Sequence, residues 1–504
     1  MKEPSTLILG IVLAIFSAAI CMQIMGQLGT APNTSLIGAV LVMIVARLPL
    51  AFTQTYRDIH RQNNILSLAS SAGFTAANGS FVAIATVFIL GRNDLIISIA
   101  IGTLMGSLIS VFAIGMLFDS KIFPADGSWP TSQAIATTLT AGDAGGKKGW
   151  ELVQGLTVGA ICSFLGIPAA GIGLAFVANM LTMTALGLGT IFRGHSTLLF
   201  NGFDIAQSNI PQGIMIGAGL VAFIQIIHGL SKRTQTTARA YLVGDTQVKQ
   251  VLGGAVGLFM LGAVILSALT GLWGNMGLGM YVLWVAFSGL TALVVMLLVG
   301  TASMHTGIAP AFAVVTICLT AGLLIGFPPM ALAVLVGYIG AVGMPLADTG
   351  IGLKAGWLLR GSGAQPDLEQ KGRRDQIFLK LVGVVIGVAM AIIFGSTLAD
   401  TGVIPPMSFF YANAIGEPVS TRLIVDLALW AIPGAILQGV FGSKSVGLMF
   451  ATGLLINNPL FGMVVIASVI VRRFMGTTHM QIRGPGLIAG DGVFGFISSV
   501  LRAF

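Results

Sequence analysis

Charge is what this sequence has least of. Asp, Glu, Lys and Arg make up only 8% of its 504 residues, against about 25% in an ordinary soluble protein. Between Lys249 and Asp348 there are none at all, an interval with room for about four spanning helices of roughly 20 residues each. That excludes a soluble globular chain. Cysteine is scarce too. Cys21, Cys162 and Cys318 lie far apart in apolar runs, which excludes a disulfide framework and thiolate metal spacing. The five histidines are scattered, so there is no His-x-x-x-His zinc pair, and no Gly-x-Ser-x-Gly nucleophile elbow occurs. The alternating ten-residue strands of an outer-membrane barrel are missing as well. Gly142–Lys148 lacks the glycine spacing of a phosphate loop, and Gly350–Gly356 lacks the surroundings of a dinucleotide site. No enzyme chemistry, cofactor or metal is expected, and no segment is long enough to hold the nucleotide domain of a primary pump.

What is present is apolar. Hydrophobic residues make up 55% of the chain, in runs recurring from Thr6 to Val500. The expected fold class is therefore an all-α polytopic membrane protein in the inner membrane, with the lipid bilayer as its solvent. The 68 glycines suit close helix packing, with pairs such as Gly155/Gly159, Gly213/Gly217 and Gly253/Gly257 on one helix face. The net charge of +8 comes from Lys and Arg in short loops, as the positive-inside bias requires, so no nucleic-acid partner is implied. Thr6–Met25 reads as a first spanning helix and not as a cleaved signal. Thr34–Leu50 reads as a second crossing. The expected organisation is an N-terminal transmembrane half (1–231), a basic cytoplasmic linker (232–250) and a C-terminal transmembrane half (251–504). Gly142–Glu151 reads as a polar loop and Lys354–Lys380 as a second basic loop. Nothing in the pattern decides oligomeric state, and a homodimer stays open.

One stretch is too polar for lipid. Arg61–Phe81 runs through Asn63, Asn64, Ser70, Ser71 and Asn78 with Ala and Gly between them. Its place is a bundle interior, as close-packing glue or as the wall of a solute path. Phe123–Gln133, with two prolines and Asp126 and Trp129, reads as a loop entering a half-helix. Met344–Gly350, with Pro345 and Asp348, echoes it, and Ser303–Gly307, with His305, stands before the echo much as Ser70–Gly73 stands before the first copy. Paired Gly/Pro-interrupted segments in two halves point to a transporter's binding site. Ionisable groups at membrane depth default to pathway or coupling roles. The candidate pathway set is Asn63, Asn64, Ser70, Ser71, Asn78, Asp126, Trp129, His305 and Asp348. Hydroxyls and amides in it would solvate the solute, Trp129 would pack on or gate it, and Asp126, His305 or Asp348 would carry a proton or face a cationic group. Asp491 is assigned a structural pairing with Arg483.

Four segments also carry a likeness. Gln62–Asn64 through Ala69–Gly73 resembles the Asn-Asn…Ala-Ser-Ala-Gly signature of the oligopeptide transporter superfamily, which includes the yellow stripe-like metal-chelate transporters. Phe123-Pro124 with Gly127, Asp348 through Lys354–Leu359, and Gly486–Gly492 are similar to three later segments of that family, in the same order. The resemblance implies a short prokaryotic member with about 12 to 16 transmembrane or half-membrane helices in two pseudo-repeated halves around a central site. It further implies a proton-coupled secondary transporter of small oligopeptides or peptide-like metal chelates. A channel or an intramembrane enzyme is the alternative. The departures are Gln62 in place of an acid and Leu66-Ser67 in place of Gln-Thr.

Overall fold

The computed structural model describes residues 4–29, 34–47, 55–199, 201–205, 208–232, 241–307, 309–416, 421–442, 446–456 and 458–503. Most of the basic linker, 233–240, lies outside the described residues, as does the end of the expected second crossing at 48–50. Of the described residues, 86% are helical. Among the described residues, eight helical segments are long and apolar enough to cross a membrane, which makes this a multi-pass α-helical membrane protein.

The first half contributes α1 (Pro4–Leu28), α2 (Thr34–Arg47) and α3 (Ile59–Phe74). A seven-residue π-helical segment, Thr75–Phe81, then runs without a break into α4 (Val82–Ile89). After these come α5 (Ile96–Leu117), α6 (Pro130–Ala144), α7 (Gly146–Phe164), α8 (Ala169–Val177), α9 (Met180–Gly194), the short α10 (Ser196–Leu199) and α11 (Ile210–Lys232). The second half contributes α12 (Asp245–Thr270), α13 (Leu278–Thr306), α14 (Ala311–Ile325), α15 (Pro329–Leu359) and α16 (Pro366–Asp400). It ends with α17 (Pro406–Gly416), α18 (Thr421–Phe441), α19 (Val446–Gly453), α20 (Pro459–Met475) and α21 (Arg483–Ala503).

Local chemistry sets several boundaries. Asp58 starts α3 by accepting hydrogen bonds from the backbone N–H of His60 and Arg61 at 2.8 and 2.9 Å, the N-cap arrangement that satisfies otherwise orphaned donors. Asn179 does the same for α9, accepting from Leu181 and Thr182. Pro345 sits inside α15 and cannot donate to the carbonyl four residues before it. That carbonyl, on Ala341, instead accepts from Ser107 of α5 at 2.9 Å.

The two halves interleave. Helix α3 packs on α16 and α15, α5 on α15, α7 on α21, α9 on α19 and α20, and α11 on α18. Segments Ile59–Ile89 and Pro329–Leu359 are the most enclosed of the long ones, each 83% buried. Glycine permits the tightest crossings. A side-chain carbon at Gly383 would sit 2.6 Å from the Leu68 carbonyl, and one at Gly387 would sit 2.6 Å from that of Ala72. The Ser/Ala/Gly run of α3 is thus the surface on which α16 lies, backbone against backbone. Gly155 and Gly159 of α7 interlock in the same way with α21, whereas Gly253 and Gly257 of α12 face open space.

Three expectations need correction. Gly142–Glu151 is no loop. Helices α6 and α7 meet at Gly145, whose φ of 62° takes the turn in one residue. Lys354–Lys380 is no loop either, because α15 runs to Leu359 and α16 starts at Pro366. Met344–Gly350 lies within α15, while its supposed counterpart Phe123–Gly127 is a true loop, so the two segments share residues but not conformation. The described part of the second crossing is the 14-residue α2. The half-helix expected after Phe123–Gln133 is present as the 15-residue α6.

Candidate functional site

A cavity of about 270 Å³ lies between helices from the N-terminal and C-terminal parts of the chain. Its walls come from α1 (Ile24, Met25), the π-helical segment (Asn78, Gly79), the start of α8 (Pro168, Ala170), the end of α13 (Ser303) and the start of α14 (Pro310–Ala313). Helices α15 (Met344, Asp348), α17 (Met407, Tyr411), α19 (Thr452), α20 (Phe461) and α21 (Asp491) complete it. Among the described residues the lining is mostly apolar and holds no Lys, Arg or His. A π-helical turn is a frequent marker of a functional position, since it shifts side chains out of α-helical register. Here it carries Asn78 to the cavity wall.

The polar groups fall into two sets. Asp348, fully buried, is saturated. Ser35 donates to its Oδ1 at 3.0 Å and Lys380 forms an ion pair with its Oδ2. Lys380 is itself buried and also donates to Ser70 Oγ at 2.8 Å. Ser71 Oγ donates to the Lys380 carbonyl at 2.7 Å. One cluster therefore joins α2, α3, α15 and α16. It continues along α16 through Gln376, which donates to Ser67 Oγ and to the Gly352 carbonyl and accepts from Arg360 at 2.8 Å. Arg360 pairs with Glu369 at 2.6 Å.

The second set is unpaired. Ser303 Oγ, on a residue 1% exposed, and Asn78 Nδ2 are buried without a hydrogen-bond partner among the described residues. Asp491 accepts from the Ala170 N–H at 2.6 Å through Oδ2 and from the Ser163 side chain, and it forms no ion pair with a described residue. The expected pairing with Arg483 gives way to this N-cap on α8, and Arg483 donates to Gln154 at 3.3 Å.

Of the nine candidates, Asn78 and Asp348 line the cavity. Ser70 and Ser71 stand one shell behind it, holding Lys380. Asn63 is buried on α3 and Asn64 partly so, both outside the lining. Asp126 is exposed on the loop before α6. Trp129 is buried with φ 34°, a left-handed conformation costly for a bulky residue. Its backbone N–H donates to the Met304 carbonyl at 2.9 Å, its indole N–H donates to the Pro124 carbonyl at 3.1 Å, and its ring lies against Gly350. It fastens the loop to α13 and α15 and does not face the cavity. His305 is exposed beside a separate pocket of about 30 Å³ shared with Gln225 and Gln438, large enough for about one water.

Sequence reasoning left Ser303 and Lys380 outside the candidate pathway set and gave Asp491 only a structural role. Ser303 stood in the polar break already singled out, two residues from the favoured His305. Asp491 stood in the last family-like segment. Lys380 carried no signal, because a lysine at the edge of a basic run looks like any loop charge.

Residues 4–230 match the family model described as OPT oligopeptide transporter protein, which supports membership of the OPT superfamily. No curated protein matches the chain.

Proposed function

We propose that this OPT-superfamily membrane protein is a secondary active transporter, and that the cavity where its two halves meet is the solute site. The observation that carries this reading is the cavity itself, an apolar space among the long helices with a few unpaired polar groups on its wall. Such a site is typical of small-molecule recognition, and about 270 Å³ falls just below the usual range of roughly 300–1,000 Å³. The cargo class is small oligopeptides or peptide-like metal chelates. Access alternates between the two faces as one group of helices rocks against the other.

Coupling to protons is assigned to the Asp348–Lys380 pair. Asp348 is the one member of the candidate acid set that is both buried and on the cavity wall. The titratable groups facing it are Lys380 from α16 and Cys21 from α1, with Tyr411 and Asp491 elsewhere on the wall. Protonating Asp348 discharges the ion pair and frees Lys380, which loosens the tie between α15 and α16 and gives the two access states a difference to act on.

The test is uptake of labelled di- and tripeptides and of iron chelates into proteoliposomes, with and without an inward proton gradient. Accumulation of one class driven by the gradient is the expected result. No accumulation of either class sinks the transport reading. Uptake indifferent to the gradient, or undiminished coupling in Asp348→Asn, sinks the role of the pair.

A further inference from the structure

We propose that the cavity reads a zwitterion. It holds an ammonium group at Asp491 and a carboxylate at the junction of α13 and α14, so the cargo is a small amino-carboxylate with both end groups free. This inference rests on the cavity being the transport site, and it assigns which residues recognise which end of the solute.

The donor end is built from three elements. Helix α14 begins at the cavity wall with Pro310 as N-cap, and no side chain caps it. The Ala311, Phe312 and Ala313 N–H groups donate no hydrogen bond to any described residue, and the first bond of the helix is Val314 N–H to the Pro310 carbonyl at 3.2 Å. An open helix N-terminus carries orphaned donors and a partial positive charge, the usual seat of a carboxylate or phosphate. Helix N-termini are common, so the weight falls on what stands beside this one. Ser303, four residues before the Gly307 cap of α13, buries an unpaired hydroxyl on the same wall, and Asn78 adds an unpaired amide donor. A buried polar atom without a partner is destabilising, and such atoms are rare in native proteins. Two of them on one cavity wall, beside uncapped backbone donors, are partners held for a ligand acceptor.

The acceptor end is Asp491. Of the two carboxylates on the wall, Asp348 is ion-paired with Lys380, while Asp491 takes only hydrogen bonds, from the Ala170 N–H and the Ser163 side chain, and pairs with no described cation. With no Lys, Arg or His among the described lining residues, no described cation neutralises it, and a cationic group on the solute supplies the missing charge. The remaining walls, including Met407, Phe461 and Leu186, are apolar and suit a side chain between the two ends.

The experiment measures binding to the purified full-length chain in nanodiscs by calorimetry, with uptake measured in parallel. The probes are alanyl-phenylalanine, its C-terminal amide and its N-acetyl derivative. The free dipeptide should bind at least tenfold more tightly than either capped form. In Asp491→Asn, which keeps a carbonyl oxygen for the α8 cap, the penalty for N-acetylation should fall below twofold and the penalty for amidation should remain. In Ser303→Ala the pattern should reverse. An iron-charged amino-carboxylate chelate measured beside the peptides separates the two sources of this chemistry, and whichever class binds must show the dependence on Asp491. Equal binding of free and capped probes to the wild type, with uptake intact, overturns the zwitterion assignment and leaves the transporter reading standing. Absence of binding and uptake for every probe by folded protein overturns both.

Discussion

Two carboxylates face the same cavity and are held in opposite ways. Asp348 is locked, with a serine on one oxygen and a lysine on the other. Asp491 takes hydrogen bonds from a helix N-terminus and from Ser163 but has no counter-charge among the described residues. The same contrast runs through the neighbouring serines, since Ser70 is bound to Lys380 while Ser303 is bound to nothing described. A buried charge must be paired or it is strongly destabilising. The closed cluster meets that demand inside the protein, and the open one meets it only when something enters. Residue type does not separate the two regions. Whether the donors and acceptors close on one another does.

The largest effect should come from breaking the closed cluster. Asp348→Leu strands the Lys380 ammonium in the interior and should lower stability by about 3–5 kcal/mol, read as a drop in the unfolding transition of detergent-solubilised protein. Replacing both members, Asp348→Leu with Lys380→Met, removes the buried charges together and should recover most of that loss. If the double variant is as unstable as the single one, the cluster holds the fold through its neutral hydrogen bonds and not through the ion pair.

A smaller effect tests the surface on which the cluster is built. Gly387→Leu pushes a side chain into the α3 backbone at Ala72, where a single added carbon already meets the carbonyl at 2.6 Å. Overpacking of this kind costs about 1–3 kcal/mol. Gly253→Leu adds the same side chain on a face of α12 with nothing within 4 Å and should change stability by less than about 0.5 kcal/mol. Thermal unfolding of the two variants side by side checks the difference. Equal losses would mean that the loss reflects glycine content and not the contact.

Much of this was legible before any coordinates. Membrane class, the all-α fold and the enclosed place of Arg61–Phe81 follow from the lack of charge and from small polar residues that lipid would reject. The loop before α6 follows from Pro124, Gly127 and Pro130. The helical path of Lys354–Lys380 was not legible, because a lysine is read as solvated unless its partner is known, and Asp348 is 32 residues away in sequence. The echo between Phe123–Gly127 and Met344–Gly350 misled for a related reason. Proline breaks a helix only when the carbonyl it frees finds no other donor, and Ser107 supplies one. Within the site, the stretch was rightly placed in the interior, but its two roles are divided along its length. The Ser67–Ser71 end packs and pairs, and the Asn78 end faces the cavity.

That division yields the smallest and most discriminating expectation. Ser70→Ala removes the hydroxyl that accepts from Lys380 at 2.8 Å. The ammonium keeps Asp348, so the loss should be that of one hydrogen bond to a charged group, about 1.5–3 kcal/mol at most, with affinity for a transported solute changed less than twofold. Asn78→Ala does the reverse. Its Nδ2 has no partner to lose, so removing it relieves an unsatisfied buried donor and should leave stability unchanged or raise it by up to about 1 kcal/mol. The solute then loses a donor, and affinity should fall several-fold. Both substitutions lie within nine residues of one another in a single continuous helical segment, Ile59–Ile89, so general damage to that segment would affect them alike. Paired unfolding and binding measurements on the two variants therefore decide whether the stretch is one structural element or two. If Asn78→Ala loses stability and keeps affinity, the cavity wall at the π-helical turn is packing, and the solute contacts lie on the α14 and α21 sides alone.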